Sequence, residues 1–165
     1  MALPKTLKNF TLYVDGVGYA GKVTEGAPPK VTIQTEDFEA GGLSGVAVLD
    51  MGAVEKLETS FTVAEFNPEL YALLGKRDVL FTLRGAQGET GTEEPVIYQM
   101  RGVLNQIEPE AFKRKAQGAI KVMAHPAALK ITIGSREVVN IDIEANTRVI
   151  GGVDQMAGIR TALGQ

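Results

Sequence analysis

Apolar and polar side chains alternate along most of this chain, the period expected of strands that bury one face and wet the other. Phe10-Thr-Leu-Tyr-Val14 begins the pattern, and Asp15-Gly16 reads as a hairpin turn into Tyr19-Ala-Gly-Lys-Val23. Glycine accepts the positive φ that such turns require. After the Pro28-Pro29 break, Lys30-Val-Thr-Ile-Gln-Thr-Glu36 alternates cleanly. So does Lys56-Leu-Glu-Thr-Ser-Phe-Thr-Val63, with Leu57, Thr59, Phe61 and Val63 on one face and Lys56, Glu58, Ser60 and Thr62 on the other. Between these strands, the glycines of Ala40-Gly-Gly-Leu-Ser-Gly45 and the Met51-Gly52 turn predict an extended loop over about 37–54 that leaves the compact body.

One helix is punctuated. Asn67 caps the free amides, Pro68 fits the first turn, Glu69 suits the positive end and Gly75 terminates it. Its Leu70, Leu73 and Leu74 are expected to cover a sheet. Strand pattern resumes at Val79-Leu-Phe-Thr-Leu83, the polar loop Gln87 to Glu94 follows, and a long strand runs from Pro95 to Ile107. Beyond the polar stretch Glu108 to Gly118 comes Ala119-Ile-Lys-Val-Met123, which Pro126 is expected to interrupt. Leu129-Lys-Ile-Thr-Ile133 turns at Gly134-Ser135 and pairs with Glu137-Val-Val-Asn-Ile-Asp-Ile143. The fold class is mainly β: one antiparallel sandwich-like or barrel-like domain over 1–165 with one α-helix.

The segment 148–165 fits neither a core strand nor a free terminus. Val149, Ile150, Val153, Met156, Ile159 and Leu163 are too apolar for water, and Asp154, Gln155 and Arg160 are too polar for a core. Termini stay ordered only when something ties them down, so this segment is expected to dock on a neighbouring subunit.

Composition narrows the function classes. At 165 residues with 44% hydrophobic content, the chain has the size for one core. It has no cysteine, which excludes disulfides, thiol nucleophiles and thiolate metal sites. The first eight residues lack the apolar core of a signal peptide, so folding in the cytoplasm without a membrane anchor is expected. A net charge of −3 gives no basic footprint for tight nucleic-acid binding.

Catalytic motifs fare poorly. Gly16-Val-Gly18-Tyr-Ala-Gly21 has dinucleotide-fingerprint spacing, but the fingerprint needs a helix after its third glycine, and here Gly26, Pro28 and Pro29 follow. His125 is the single histidine and lacks a second for a metal pair. A triad with Ser44, Ser60 or Ser135 requires convergence that nothing in the sequence indicates, and Gly42-Leu-Ser-Gly45 is not a nucleophile elbow. Phe112-Lys-Arg-Lys115 is a local basic cluster. No catalytic, cofactor or metal residue is assigned, and the chain is expected not to be an enzyme. Long strands, by contrast, leave unpaired edges that invite pairing. A barrel wide enough for an aqueous channel takes roughly 16–18 strands, so a pore would have to be shared among subunits.

The sequence resembles the major tail tube proteins of contractile-tailed phages and the tube subunits of R-type pyocins. The resemblance is carried by Leu7-Lys-Asn-Phe-Thr-Leu-Tyr-Val-Asp-Gly-Val17, Ala40-Gly-Gly42, Asp50-Met-Gly52 and Met100-Arg-Gly102. It is most specific at the end, in Ile141-Asp142, Arg148, Ile150, Gly152-Val-Asp-Gln155, Ala157-Gly158, Arg160 and Leu163-Gly164. His125-Pro126-Ala-Ala128 departs from it, where the family is more aromatic. The resemblance implies hexameric rings with a shared inner β-barrel, stacked into a hollow tube inside a contractile sheath. Sheath contraction would drive the tube through a target envelope, and the lumen would pass DNA in a phage or ions in a bacteriocin.

Implied partners are further copies of the chain, the sheath protein, baseplate or initiator and terminator proteins, and a tape measure protein in the lumen. DNA would pass only in transit, and the location would be the virion tail or bacteriocin particle. Implied contact residues are Gly41, Gly42, Leu43, Asp50, Met51, Gly52, Arg101, Arg148, Val153, Asp154, Gln155 and Arg160. Glu36, Glu58, Ser60 and Thr62 are the lumen candidates, because neutral and acidic walls avoid the counterion-release attraction of basic ones. Alternative classes are a monomeric β-sandwich that binds a ligand or glycan, and a small hydrolase.

Overall fold

A computed structural model describes residues 3–165. The alternation becomes a ten-stranded antiparallel sheet, with a separate two-stranded ribbon. Strands β1 (Thr6–Val14) and β2 (Val17–Gly18) form a tight hairpin. Asp15 and Gly16 take φ of 48° and 82° at its turn. The Asp15 carboxylate accepts from the Leu80 amide at 2.9 Å, tying the turn to the neighbouring strand. The expected strand at Tyr19 starts later: Tyr19 turns inward and is buried, and β3 (Val23–Ala27) pairs with β6 (Thr59–Val63), not with β1. The Gly16–Gly21 segment is therefore a hairpin and turn with no helix behind it.

From β2 the main path runs β1, β7 (Val79–Gly88), β8 (Glu94–Pro109), β9 (Ile120–Ile133), β10 (Arg136–Asp142), β11 (Thr147–Ile150) and β12 (Val153–Asp154). Strand β9 forks this sheet. Ile120 to Ala124 pair with β6, whereas Ala128 to Ile133 pair with β10. The fork folds β3 and β6 over β1 and β7, so Phe61, Val63, Ile120 and Val122 pack with Leu12, Val14, Phe81, Leu83, Met100 and Leu104 in one core. Phe61 and Phe81 join the layers with ring centroids 5.4 Å apart. The sandwich-like reading holds.

Pro126 does not end the strand as expected. Buried positions on β9 fall at Ile120, Val122, Ala124 and Pro126, then at Leu129 and Ile131, so the parity flips between them. The register shows why: Gly102 faces Pro126 and Arg101 faces Ala128, leaving Ala127 as an extra bulged residue. A proline is tolerated where the neighbouring strand changes and the ladder is already broken. The same bulge hides one long strand behind two short sequence patterns. Gly102 makes it possible, because a Cβ there would lie 2.2 Å from the His125 carbonyl oxygen and 2.5 Å from the Pro126 Cα.

The helix α1 (Pro68–Ala72) forms where the sequence places it. The Asn67 side chain accepts from the Glu69 and Leu70 amides at 2.9 and 3.2 Å. Gly75, at φ 81°, donates to the Leu104 carbonyl and closes the turn onto β8. Leu70 is fully buried and Leu73 packs on the core, but Leu74 is 47% exposed and covers nothing. A second helix, α2 (Ala157–Leu163), forms in the C-terminal segment, for which the pattern implied contact but no element.

Substituting Gly102 with alanine drives a methyl group into two backbones. It should lower stability by about 3 kcal/mol, an overpacking effect. Gly41→Ala meets nothing within 4 Å and needs no positive φ, so it should be neutral to slightly stabilising. Urea unfolding midpoints of the two variants would check the contrast.

Candidate functional site

The loop expected over 37–54 is a β-hairpin arm. Among the described residues, strands β4 (Ile33–Phe38) and β5 (Ala47–Val54) pair only with each other, and every residue of β4 is exposed. Register places Glu36 opposite Leu49 and Phe38 opposite Ala47, so one face of the ribbon carries Phe38, Leu49 and Met51. These are 48%, 47% and 51% exposed. Val46 and Val48 add to the uncovered surface, and Leu43 crowns the tip. An isolated two-stranded ribbon is at best marginally stable in water, and apolar surface at this density marks a contact site.

The base of the arm is bolted to the body. Val31 and Val54 pack on the core. Met51-Gly52 is no terminal turn but a bulge inside β5: Thr35 faces Asp50 and Ile33 already faces Val54. Gly52 takes φ 72° there, and its amide donates to the Asp50 carboxylate at 2.8 Å. The other Asp50 oxygen accepts from Arg148 Nη2 at 2.7 Å. The Arg148 hydrogen bond, and after it the Gly52 amide, hold the Asp50 carboxyl below the usual carboxylate range.

Arg148 lies on β11 and is only 4% exposed. It lines a hollow of about 200 Å³ with Val54, Ile141, Thr147 and Met156. The C-terminal segment roofs this hollow. Met156 is buried, and Gly52 comes close enough to Ile159 that a Cβ would meet Ile159 Cδ1 at 3.2 Å. Asp154 caps the Met156 amide and pairs with Arg160, whose Nη1 also donates to the Asn146 carbonyl at 2.9 Å. Arg160 first, and then the Met156 amide, hold the Asp154 carboxyl low.

The residues singled out from sequence therefore separate into groups. Asp50, Gly52, Arg148, Asp154 and Arg160 meet at the base of the arm, while Gly41, Gly42 and Leu43 lie at its far tip. Met51, Val153 and Gln155 are exposed around the base. Arg101 stands apart on β8, 3.8 Å from Asp142 and 4.0 Å from Asp78. Of the lumen candidates, Glu58, Ser60 and Thr62 share the outward side of β6 and the residues before it, but Glu36 lies on the arm.

On the outward face, Thr62 lies beside Glu25 and Lys121, and Lys121 beside Glu108. His125 Nδ1 lies 3.3 Å from the Leu57 carbonyl, and no serine hydrogen-bonds it among the described residues. No metal-holding acidic or histidine cluster and no helix long and apolar enough to cross a membrane occur among the described residues. Sequence reasoning missed the arm's charge. Residues 31–55 contain Glu36, Asp37, Glu39, Asp50 and Glu55 with no lysine or arginine, a run that simple counting would have found.

Comparison with known proteins gives this geometry a context. The family described as phage tail tube protein FII matches residues 4–164. The major tail tube protein of Serratia phage KSP20 is 32% identical over 146 residues, covering 87% of this chain and 85% of the relative. The tail tube protein of Escherichia phage P2 is 26% identical over 171 residues, covering 99% of each. Among solved structures, a chain of the PVC sheath–tube complex in its extended state, from an extracellular contractile injection system, superposes with a TM-score of 0.62. It is 8% identical, over 79% of this chain and 92% of that one.

The Asp50 carboxyl titrates below its ordinary value, so its hold on the arm is complete above about pH 4 and is lost as pH falls through the lowered value. Exchange-protection factors of the β5 amides should be flat from neutral pH to about pH 4 and drop below it. Asp50→Asn should show the reduced protection at every pH.

Proposed function

The chain belongs to the phage tail tube protein FII family and is a tail-tube subunit of a contractile system, and we propose that six copies close a ring whose sheets merge into one inner β-barrel. The observation that carries this reading is the unfinished sheet. Strand β1 pairs with β7 along its length, but on its other side only Tyr13 and Val14 meet β2. The edge from Thr6 to Thr11 presents backbone donors and acceptors to water, as does the outer side of β3. A ring of copies removes such edges by continuing the sheet, which no monomer of this size does with a channel-sized barrel.

Rings would stack through the arms. The apolar ribbon face around Phe38, Leu49 and Met51 is covered when it meets a neighbouring copy, and the segment after Arg148 lies beside the arm base to form the same seam. The contact residues are then Gly41, Gly42, Leu43, Met51, Val153 and Gln155 on the surface. Asp50, Gly52, Arg148, Asp154 and Arg160 set the geometry beneath them. Arg101 contributes from the sheet.

The function is mechanical. The sheath shortens around a rigid tube, the tube crosses the target envelope, and the lumen passes DNA or ions without chemistry in the wall. Glu25, Glu58 and Glu108 outnumber Lys56 and Lys121 around Ser60 and Thr62, so the outward sheet face would be a near-neutral lining that holds a polyanion only weakly. Sheath, initiator, terminator and tape measure proteins are the partners of such a tube, assembled in the bacterial host's cytoplasm into the tail.

Negative-stain microscopy of the purified chain, seeded with tail fragments, should show hollow tubes of stacked rings; compact monomers under seeding would overturn the proposal. Removing residues 157–165, which include α2 and none of its side chains buried, should leave folding nearly intact and abolish tube growth. Glu58→Lys should assemble normally yet slow DNA ejection severalfold, more so at low salt; unchanged ejection kinetics would remove β6 from the lumen.

A further inference from the structure

We infer that the Arg148 guanidinium is a docking point completed in trans by the Glu39 carboxylate from the arm of a second copy of this chain, a contact that rests on the tube reading above. Arg148 Nη2 is satisfied by Asp50, but Nε and Nη1 are enclosed without an acceptor among the described residues. Buried guanidinium donors are almost always paired, and an orphaned pair calls for an acceptor from elsewhere. The hollow beside them is walled by Val54, Ile141 and Thr147 and roofed by Met156. Helix α2, which follows that roof, buries none of its own side chains.

The arm supplies what this site lacks. Glu36, Asp37 and Glu39 stand on a segment with no cation, and none of them forms an ion pair among the described residues. Glu39 begins the tip, where Gly41 and Gly45 have no positive φ and no neighbour within 4 Å. Nothing inside the subunit requires glycine at those two places. A slender backbone does require it when the tip enters a narrow hollow, where its carbonyls also reach the remaining donors.

A carboxylate is the acceptor that a guanidinium binds most strongly. The arm cannot serve its own base, because four residues of extended strand, roughly 13 Å, separate Glu39 from Thr35, the register partner of Asp50. The contact is therefore head-to-tail between copies, the kind that closes rings or extends filaments.

The chain has no cysteine, so a designed pair reads the contact without background. In seeded tubes, Glu39→Cys with Ile143→Cys at the rim of the hollow should give a ladder of disulfide-linked oligomers on oxidation. Thr90→Cys with Ile143→Cys should not. Glu39→Gln should keep the urea midpoint of the unmodified chain and raise the critical concentration for tube growth about tenfold, whereas Glu55→Gln should not change it. Tubes that form without the Glu39 ladder overturn this inference alone. An unmodified chain that forms no tubes overturns the tube reading and this contact together.

Discussion

Every backbone amide and carbonyl at the margin of a sheet must find a partner, and among the described residues that requirement is unmet along the outer side of β1, the outer side of β3, and both sides of the β4–β5 ribbon. Soluble monomers blunt such margins with short strands, prolines or charges. Only part of that is done here. Strands β2 and β12 are short, and prolines follow β3. The nine-residue β1 has one lysine, Lys8, at a register shift against β7, and its edge is otherwise bare from Thr6 to Thr11. Its free edge and the arm's bare apolar face are two forms of one incompleteness, and both would be resolved by further copies of the chain in the proposed ring.

The interior explains how an incomplete subunit stays stiff. Strand β9 exchanges neighbours in mid-course, and the exchange turns one sheet into two facing layers around Phe61 and Phe81. The bulge at Ala127, the glycine at 102 and the proline at 126 make one device: the glycine lets the backbones touch, and the bulge resets which residues face inward. Strand β8, sixteen residues long, pairs with β7 through its first half and with β9 nearly throughout, and so joins the two layers.

Much of this was legible in the residues. Strict alternation at Phe61, Val63, Val79, Phe81 and Leu83 located the core strands, and Asn67-Pro68-Glu69 located α1, because both signals are local. The fork was not legible. The parity flip at Ala127 makes one strand resemble two, and a proline beside it strengthens the illusion. Tyr19 misled for a similar reason, since an apolar residue just after a turn faces the core without belonging to a strand. The arm's first strand was marked by the alternation from Lys30 to Glu36, but alternation implies one buried face, and in a single copy every residue of β4 is exposed. Family resemblance named Asp50, Gly52, Arg148, Asp154 and Arg160 as contacts between subunits, and within one copy they bond one another at the base of the arm. That Asp50 and Arg148 bond each other, 98 positions apart, is a property of folding and not of spacing.

The arm's charge bears on how such a subunit stays dispersed before it assembles. A ribbon with exposed Phe38, Leu49 and Met51 would pair with its own kind through its edges if nothing opposed it. Its carboxylates oppose it, because two arms side by side bring together only like charges. That repulsion is relieved where a cation waits. In this fold a guanidinium with spare donors lies beneath the C-terminal segment, and Asp50 holds it in place from the base of the same arm. One segment thus carries the repulsion that prevents the wrong pairing and the ion pair that orients the right one. The bare ribbon face then adds affinity only after the charge has selected the geometry.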